Sequence, residues 1–375
     1  MDREKWIDSI KWIACVIVFL NHFYLTFGYT CIGLNNIVTL RPFNILCNGN
    51  YAVCLFLIVS AYVISKPIYI SKDFKRVQKT LVKRYPRLML PVFFSSLVSY
   101  ILYLLGVYFN QQAGEVLKNE WLRGKYNSPL TMKELFLTST IKVWWNGDAS
   151  FNAPFWMLQL LFFGTFLTVI ITMLTAVKKR GFVILGILLF IYTYLASFYL
   201  CFVCGVLLAY LSSRGYFKGE KKNKYKFGIN IFLLVFSLCL PGYAETIIDI
   251  ISPIAYGSFI CDKRFYNIVG SFLLIFSLMG MEEIKLCLEK SKLLKRIRKI
   301  SFSIYLIHWS IICSFSCWFY LSLLGTGYKK PIICTFVFGV TVIIVALVSE
   351  IFYELIEKRI CNCIVEKICK GYLEE

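Results

Sequence analysis

The sequence predicts an all-α protein, a polytopic transmembrane helical bundle of about ten helices with its N- and C-termini cytoplasmic. Three observations carry that reading. Of the 375 residues 58% are hydrophobic, and the mean hydropathy is +0.68, far above an ordinary soluble domain. Apolar stretches of about 20 residues, the length that crosses a bilayer core, recur along the whole chain. The basic residues fall between those stretches in short clusters, "KDFKRVQKTLVKRYPR", "KKRG", "KGEKKNKYK" and "KSKLLKRIRK", which is the pattern of cytoplasmic loops.

Taken in order, the apolar periodicity places spans at roughly 9–29, 50–70, 86–109, 154–177, 182–196, 198–211, 227–243, 265–281, 301–324 and 332–356. The first stretch, Ile10 to Gly28, is longer than a signal-peptide core and lacks a small-residue cleavage site, so it reads as a retained helix. Phe182 to Leu211 is long for one helix and short for two. Both of its flanks are basic, which requires an even number of crossings. It therefore reads as a hairpin turning near Ala196-Ser197, because a single tilted helix would leave one basic flank outside. The long segment from Asn110 to Ala153, with Trp121, Trp144 and Trp145, reads as interfacial aromatics and a partly ordered outer lid. No long polar segment leaves room for a soluble domain, so 1–375 is taken as one integral-membrane domain.

The net charge of +20 does not point to nucleic acid, because its distribution fits loops that hold topology and touch anionic membrane lipids. Fifteen cysteines are scattered through the chain. The pairs Cys201/Cys204 and Cys361/Cys363 lack partners at metal-site spacing, so no metal is expected. No internal repeat is visible, which argues against a repeat-built transporter.

The two histidines are the residues that ask for a purpose. His22 sits in "IACVIVFLNHFYLTFG" and His308 in "SFSIYLIHWSII"; an ionisable group inside a span usually faces the bundle interior or a water-filled cavity. Lys11 precedes His22 by eleven residues, within about 20° of the same helical direction and about 16 Å along the axis. One helix face thus carries a cation at its cytoplasmic end and an imidazole deeper in. Arg84 and Arg87, three apart in "KRYPRLMLP", share a face at the start of the third span, and their guanidinium forks suit phosphate oxygens. Ser301, Tyr305 and His308 form one stripe of the ninth span. Their hydroxyls are candidates to fix the imidazole, or they are a polar packing stripe. Glu350, Glu354 and Glu357 are read on one face of the last helix, Glu350 the deepest.

Those residues fall in blocks that resemble the acyltransferase 3 family of integral-membrane acyltransferases, over nearly the whole chain. "WIDSIKWIACVIVFLNH" resembles the family's opening, matching Asp8, Lys11 and His22. "LFLIVSAYVIS" resembles its second-helix block around Ser60, and "KRYPRLMLP" its arginine-rich third helix, matching Arg84, Arg87 and Pro91. "FWMLQLLFF" resembles the block holding Trp156 and Leu158, "FSIYLIHW" the late Tyr-Leu-x-His block, and "YELIEKRI" the closing block at Glu357. No single block is specific; their order and spacing are. Lys11 stands where the family usually has Arg, which keeps the charge and loses the planar fork. Ala61 stands where Gly is frequent, and Gln159 where many members have an acidic or small residue. The soluble esterase-like domain that some members carry has no counterpart here.

The resemblance implies transfer of an acyl group, commonly acetyl, from cytoplasmic acyl-CoA (acetyl-CoA) to a hydroxyl. The acceptor it implies is a glycan, a lipid-linked sugar or a small hydroxyl compound. It also implies a multi-pass place in a bacterial inner or plasma membrane and a part in cell-envelope polysaccharide modification by O-acetylation. Cations at the cytoplasmic mouth and a histidine deeper in suit a donor with polyanionic phosphates and a thioester on a long arm. His22 is favoured as general base because of its face with Lys11, and His308 is assigned to line or orient the site beside Tyr305. A glycan or lipid flippase, another transporter, and a membrane sensor with a degenerate site remain the rival readings.

Overall fold

The computed structural model describes residues 4–28, 38–71, 74–177, 181–195, 197–217, 224–255, 257–291, 295 and 297–371. Most of its described residues are helical, with no strand among them. Ten helices match the ten predicted spans one to one. They are α1 Lys5–Phe27, α2 Gly49–Ser71, α3 Phe74–Leu104, α4 Trp156–Val177 and α5 Gly181–Tyr194. Then follow α6 Leu200–Ser213, α7 Lys224–Gly242, α8 Lys263–Met279, α9 Arg298–Thr326 and α10 Lys330–Lys367. Seven of them (α1 to α4, α7, α9 and α10) contain a stretch long and apolar enough to cross a bilayer. The 14-residue α5 and α6 are each about 21 Å long, short of a bilayer core of about 30 Å.

The structure departs from the sequence reading at three places, and at a fourth, the run 182–211, it agrees with it. The third span ends at Leu104 rather than 109, because Gly106 takes a left-handed conformation (φ +66°) that stops the helix. The run 182–211 is two helices, as the hairpin reading requires; its proposed turning residue Ala196 lies outside the described residues. The segment after α3 is more ordered than a loose lid. It contains helices Asn110–Leu117, Glu120–Arg123 and Met132–Leu137, followed by a π-helical turn Thr138–Lys142 and a short helix Val143–Trp145. A 12-residue helix, Ala244–Ala255, also stands between α7 and α8, where the sequence reading has a connection.

The chain divides into two compact units. The first comprises Met1–Ile17, Leu40–Leu81 and Leu160–Arg298; the second comprises Val18–Thr39, Val82–Gln159 and Lys299–Glu375. In the first unit α6 lies directly on α2. A Cβ on Gly205 would fall 2.4 Å from the Ile58 carbonyl oxygen and 2.5 Å from the Ala61 Cβ, so only glycine permits this approach. Threonines on α4 turn their hydroxyls onto their own helix, as Thr168 does to the Gly164 carbonyl (2.6 Å). Thr172 then meets Ser65 of α2 at 2.8 Å. At the start of the chain, Glu4 accepts from Lys66 Nζ (2.9 Å) and from the Tyr62 hydroxyl (3.0 Å).

In the second unit α3 meets α9 through small polar residues. Ser95 Oγ donates to the Leu306 carbonyl (2.7 Å), and Ser99 and Ser310 pair at 2.7 Å. All three π-helical stretches among the described residues fall here: Thr138–Lys142, Ile312–Ser316 in α9 and Tyr353–Cys361 in α10. Such stretches shift the register of a helix by part of a turn and are frequent at functional sites.

Candidate functional site

Both histidines lie in the second unit, and the structure brings them together. His22 Nδ1 and His308 Nε2 are 3.0 Å apart. His308 is fully buried and His22 is 8% exposed. The hydrogen bonds assign the protons. His308 Nδ1 lies 2.8 Å from the Ile304 carbonyl oxygen, an atom that only accepts, so Nδ1 carries the hydrogen. In a neutral ring that leaves the lone pair of His308 on Nε2. His22 Nδ1 must then donate to it, and the lone pair of His22 falls on Nε2. One imidazole holds the other in a fixed tautomer whose basic nitrogen is Nε2.

Aromatic rings frame the pair. Trp309, 1% exposed, has its ring centroid 5.5 Å from that of His22. Trp121 lies parallel to the His22 ring (6.4 Å, 9°) and at 5.2 Å from Trp309. Asn119 explains how a loop residue reaches this place. Its Nδ2 donates to the Leu25 carbonyl at the end of α1 (2.6 Å), and its Oδ1 accepts the Leu122 N–H and caps the Glu120–Arg123 helix. One side chain therefore ties the helix that carries Trp121 to the helix that carries His22.

Tyr305 does not direct its hydroxyl at the imidazole. It donates to the Pro154 carbonyl, and its ring stands 6.5 Å from that of His308. Asn152, fully buried, donates to the Leu306 carbonyl. Both bonds hold the turn of α9 that presents His308. Sequence reading passes over Asn152 because a loop asparagine carries no pattern.

A second polar group lies nearer the start of α9. The buried Ser303 donates to Glu357 Oε1, and the positive charge of Arg87 acts on that carboxylate. Arg84 is half-buried with its Nε shielded from solvent, while Arg87 is exposed. The glutamates do not share one environment. Tyr353–Cys361 is π-helical, so the 3.6-residue spacing behind the predicted stripe does not hold there. Glu354 pairs with Lys358 at 2.6 Å on a partly exposed surface, Glu357 turns to Ser303, and Glu350 is half-buried. Ser301 is half-buried at the start of the stripe, and Ser303 rather than Ser301 meets the carboxylate.

The remaining candidates fall elsewhere. Asp8 and Lys11 lie in the first unit and pair with each other at 3.8 Å; Ser60, 9% exposed, is also there. Trp156 is half-buried at the start of α4. Gln159 donates to the Trp145 carbonyl, which gives that departure from the family pattern a local role. Among the described residues no three His, Cys, Asp or Glu side chains are grouped to hold a metal ion.

Helices of this length and polarity, with a paired imidazole centre buried among them, define an integral multi-pass membrane protein. The chain matches the family model described as an acyltransferase domain over residues 4–350, and it belongs to the acyltransferase 3 family. It is thus a membrane acyltransferase. No curated protein and no solved structure matches it.

Proposed function

We propose that the protein transfers an acyl group, acetyl in the simplest case, from cytoplasmic acyl-CoA to a hydroxyl of a glycan or glycolipid. In this reading His22 is the general base. The observation that carries it is the histidine pair, whose hydrogen bonds leave the basic lone pair on His22 Nε2. His22 Nε2 takes the proton of the acceptor hydroxyl as its oxygen attacks the thioester carbonyl carbon. The carbon–sulfur bond then breaks, and the thiolate recovers that proton from the imidazolium. The products are the ester and free CoA. His308 receives the Nδ1 hydrogen bond throughout and stabilises the positive charge that His22 acquires. It acts as a positioning residue, and Tyr305 and Asn152 hold its turn of helix.

The donor's phosphates are assigned to Arg84 and Arg87. Guanidinium groups bind such oxygens in pairs, and Arg87 is exposed. The test is purified enzyme with radiolabelled acetyl-CoA and a membrane extract as acceptor source. Transfer to glycan or lipid that is lost in His22→Ala with acyl-CoA affinity unchanged supports the reading. Full transfer by His22→Ala sinks it.

A further inference from the structure

Trp121 and Lys125 serve neither the histidine tautomer nor the donor arginines, yet both are built into place. Lys125 Nζ sits 4.9 Å from the centroid of the Trp121 ring, and its charge is felt at His22. The segment that carries them is fixed from several sides. Asn110 Nδ2 donates to the Leu122 and Lys125 carbonyls (3.1 and 2.9 Å). The next residue, Tyr126, has a left-handed backbone (φ +57°), an uncommon state for a bulky side chain. It is held there by a hydroxyl bond to the Phe151 carbonyl (2.9 Å) and by stacking on Tyr108 at 4.1 Å. Strain of this kind persists where surrounding contacts enforce it, and it clusters at ligand sites.

The charges around Lys125 sharpen the point. Arg123 is matched by Glu120 (3.3 Å) and Glu115 (3.9 Å). No acidic side chain among the described residues stands within ion-pair distance of Lys125. Its partner is the face of an indole, an attraction of only about 0.5–1 kcal/mol at such a site. Trp121 is 38% exposed although it stands beside two buried rings. A partly exposed indole next to a base, with a half-buried cation that no acidic side chain among the described residues pairs, is what an acidic ring-shaped ligand would engage.

We infer that Trp121 and Lys125 form the acceptor subsite and that the acceptor is a sugar ring bearing an anionic group. The inference rests on the acyl-transfer reading above, since it describes the acceptor side of the same centre. The apolar C–H face of the sugar lies on the Trp121 indole, its hydroxyl rim faces the His22 ring, and Lys125 leaves the indole for the anion.

The test uses the full chain in detergent with three probes: methyl glucuronide, glucose 6-phosphate and neutral methyl glucoside. Binding is followed by saturation-transfer NMR and transfer by radiolabelled acetyl-CoA. At least one acidic probe is expected to bind and to be acetylated with a KM about tenfold below that of the neutral one; which acid it is separates carboxylate from phosphate. Lys125→Ala should abolish that preference by raising the KM of the acidic probe about tenfold, to that of the neutral one, and Lys125→Arg should restore it. Trp121→Ala should raise KM for every probe, with Trp121→Phe recovering part. Equal binding of all three probes, binding of none, or a preference that survives Lys125→Ala overturns the inference. Transfer that persists in His22→Ala with probe binding intact overturns the catalytic reading instead, so the two failures are distinguishable.

Discussion

The two units answer the same problem, polar side chains buried in apolar helices, in different ways. In the first unit the buried polar groups of α4 are hydroxyls that return to their own helix. Thr165, Thr168, Thr172 and Thr175 each donate to a carbonyl one turn back, at 2.6–2.8 Å. Such groups are satisfied locally and cannot titrate, and they let helices approach closely. In the second unit the buried polar groups include both histidines, and Ser303 meets the carboxylate of Glu357. The π-helical stretches lie there too, and one of them exposes the Cys313 carbonyl to the Phe109 N–H (3.0 Å). Regular helices with hydroxyl ladders are packing devices; buried imidazoles among interrupted helices are the candidates for chemistry.

The largest expected effect tests that contrast where it is steepest. His22→Ala should lower kcat by at least about 10²-fold, the low end of general base catalysis, with acyl-CoA affinity retained. His308→Ala should lower kcat less, because it removes the partner that orients the base and not the base. A larger loss in His308→Ala than in His22→Ala would reverse the two roles. Next in size are the arginines proposed to bind the donor. Arg84→Ala should weaken acyl-CoA binding roughly ten- to hundredfold, the value of one hydrogen bond to a charged group, about 1.5–3 kcal/mol. Unchanged donor affinity in Arg84→Ala and Arg87→Ala, measured by isothermal titration, would reduce both to topology determinants.

Much of the fold is legible in the sequence because lipid imposes a simple rule: a span needs about 20 apolar residues. Seven of the ten helices answer to that rule, while α5, α6 and α8 are legible only as shorter apolar runs. What escapes is set by tertiary placement. Trp121, Asn119 and Asn152 lie in a connecting segment whose hydropathy says nothing of where it folds. The histidine pairing is not readable either, because 286 residues separate the partners. Tyr305 and Ser301 are chosen from an α-helical stripe, yet Tyr305 bonds to Pro154 and it is Ser303 that reaches Glu357. The glutamate stripe misleads for a different reason: a π-helical stretch changes the residue spacing, and nothing in "YELIEKRI" announces it.

The contrast also predicts damage without catalytic loss. Gly205→Leu in the first unit drives side-chain atoms toward the backbone of α2, where even a Cβ has 2.4 Å to the Ile58 oxygen. Overpacking of this kind costs about 1–3 kcal/mol, so thermal stability in detergent should fall by several degrees. The kcat and acyl-CoA affinity of the folded fraction should stay at wild-type values. A selective fall in kcat at unchanged thermal stability would break the division between a packing unit and a chemical one.

The smallest effect comes from the surface of the first unit. Glu245 lies in the Ala244–Ala255 helix between Lys263 Nζ (2.5 Å) and Arg41 (3.1 Å). The Lys263 ammonium, aided by Arg41, holds its carboxyl below the usual carboxylate range. The sign follows from linkage. A carboxyl whose folded pKa is depressed adds stability that is complete above its unfolded pKa, about 4.3, and is lost as pH falls through the folded value. Its side chain is 54% exposed, so solvent screens the pair and the contribution stays below about 1 kcal/mol. Glu245→Gln should therefore lower the melting temperature slightly at pH 7. The gap to wild type should close in high salt, which screens exposed charges, and again as pH falls through the lowered folded pKa of Glu245, below which both proteins carry a neutral group. A gap that persists once the folded carboxyl is protonated, or one that salt does not touch, would mean that Glu245 acts through packing rather than charge, and that the first unit's surface is built by the same apolar contacts as its interior.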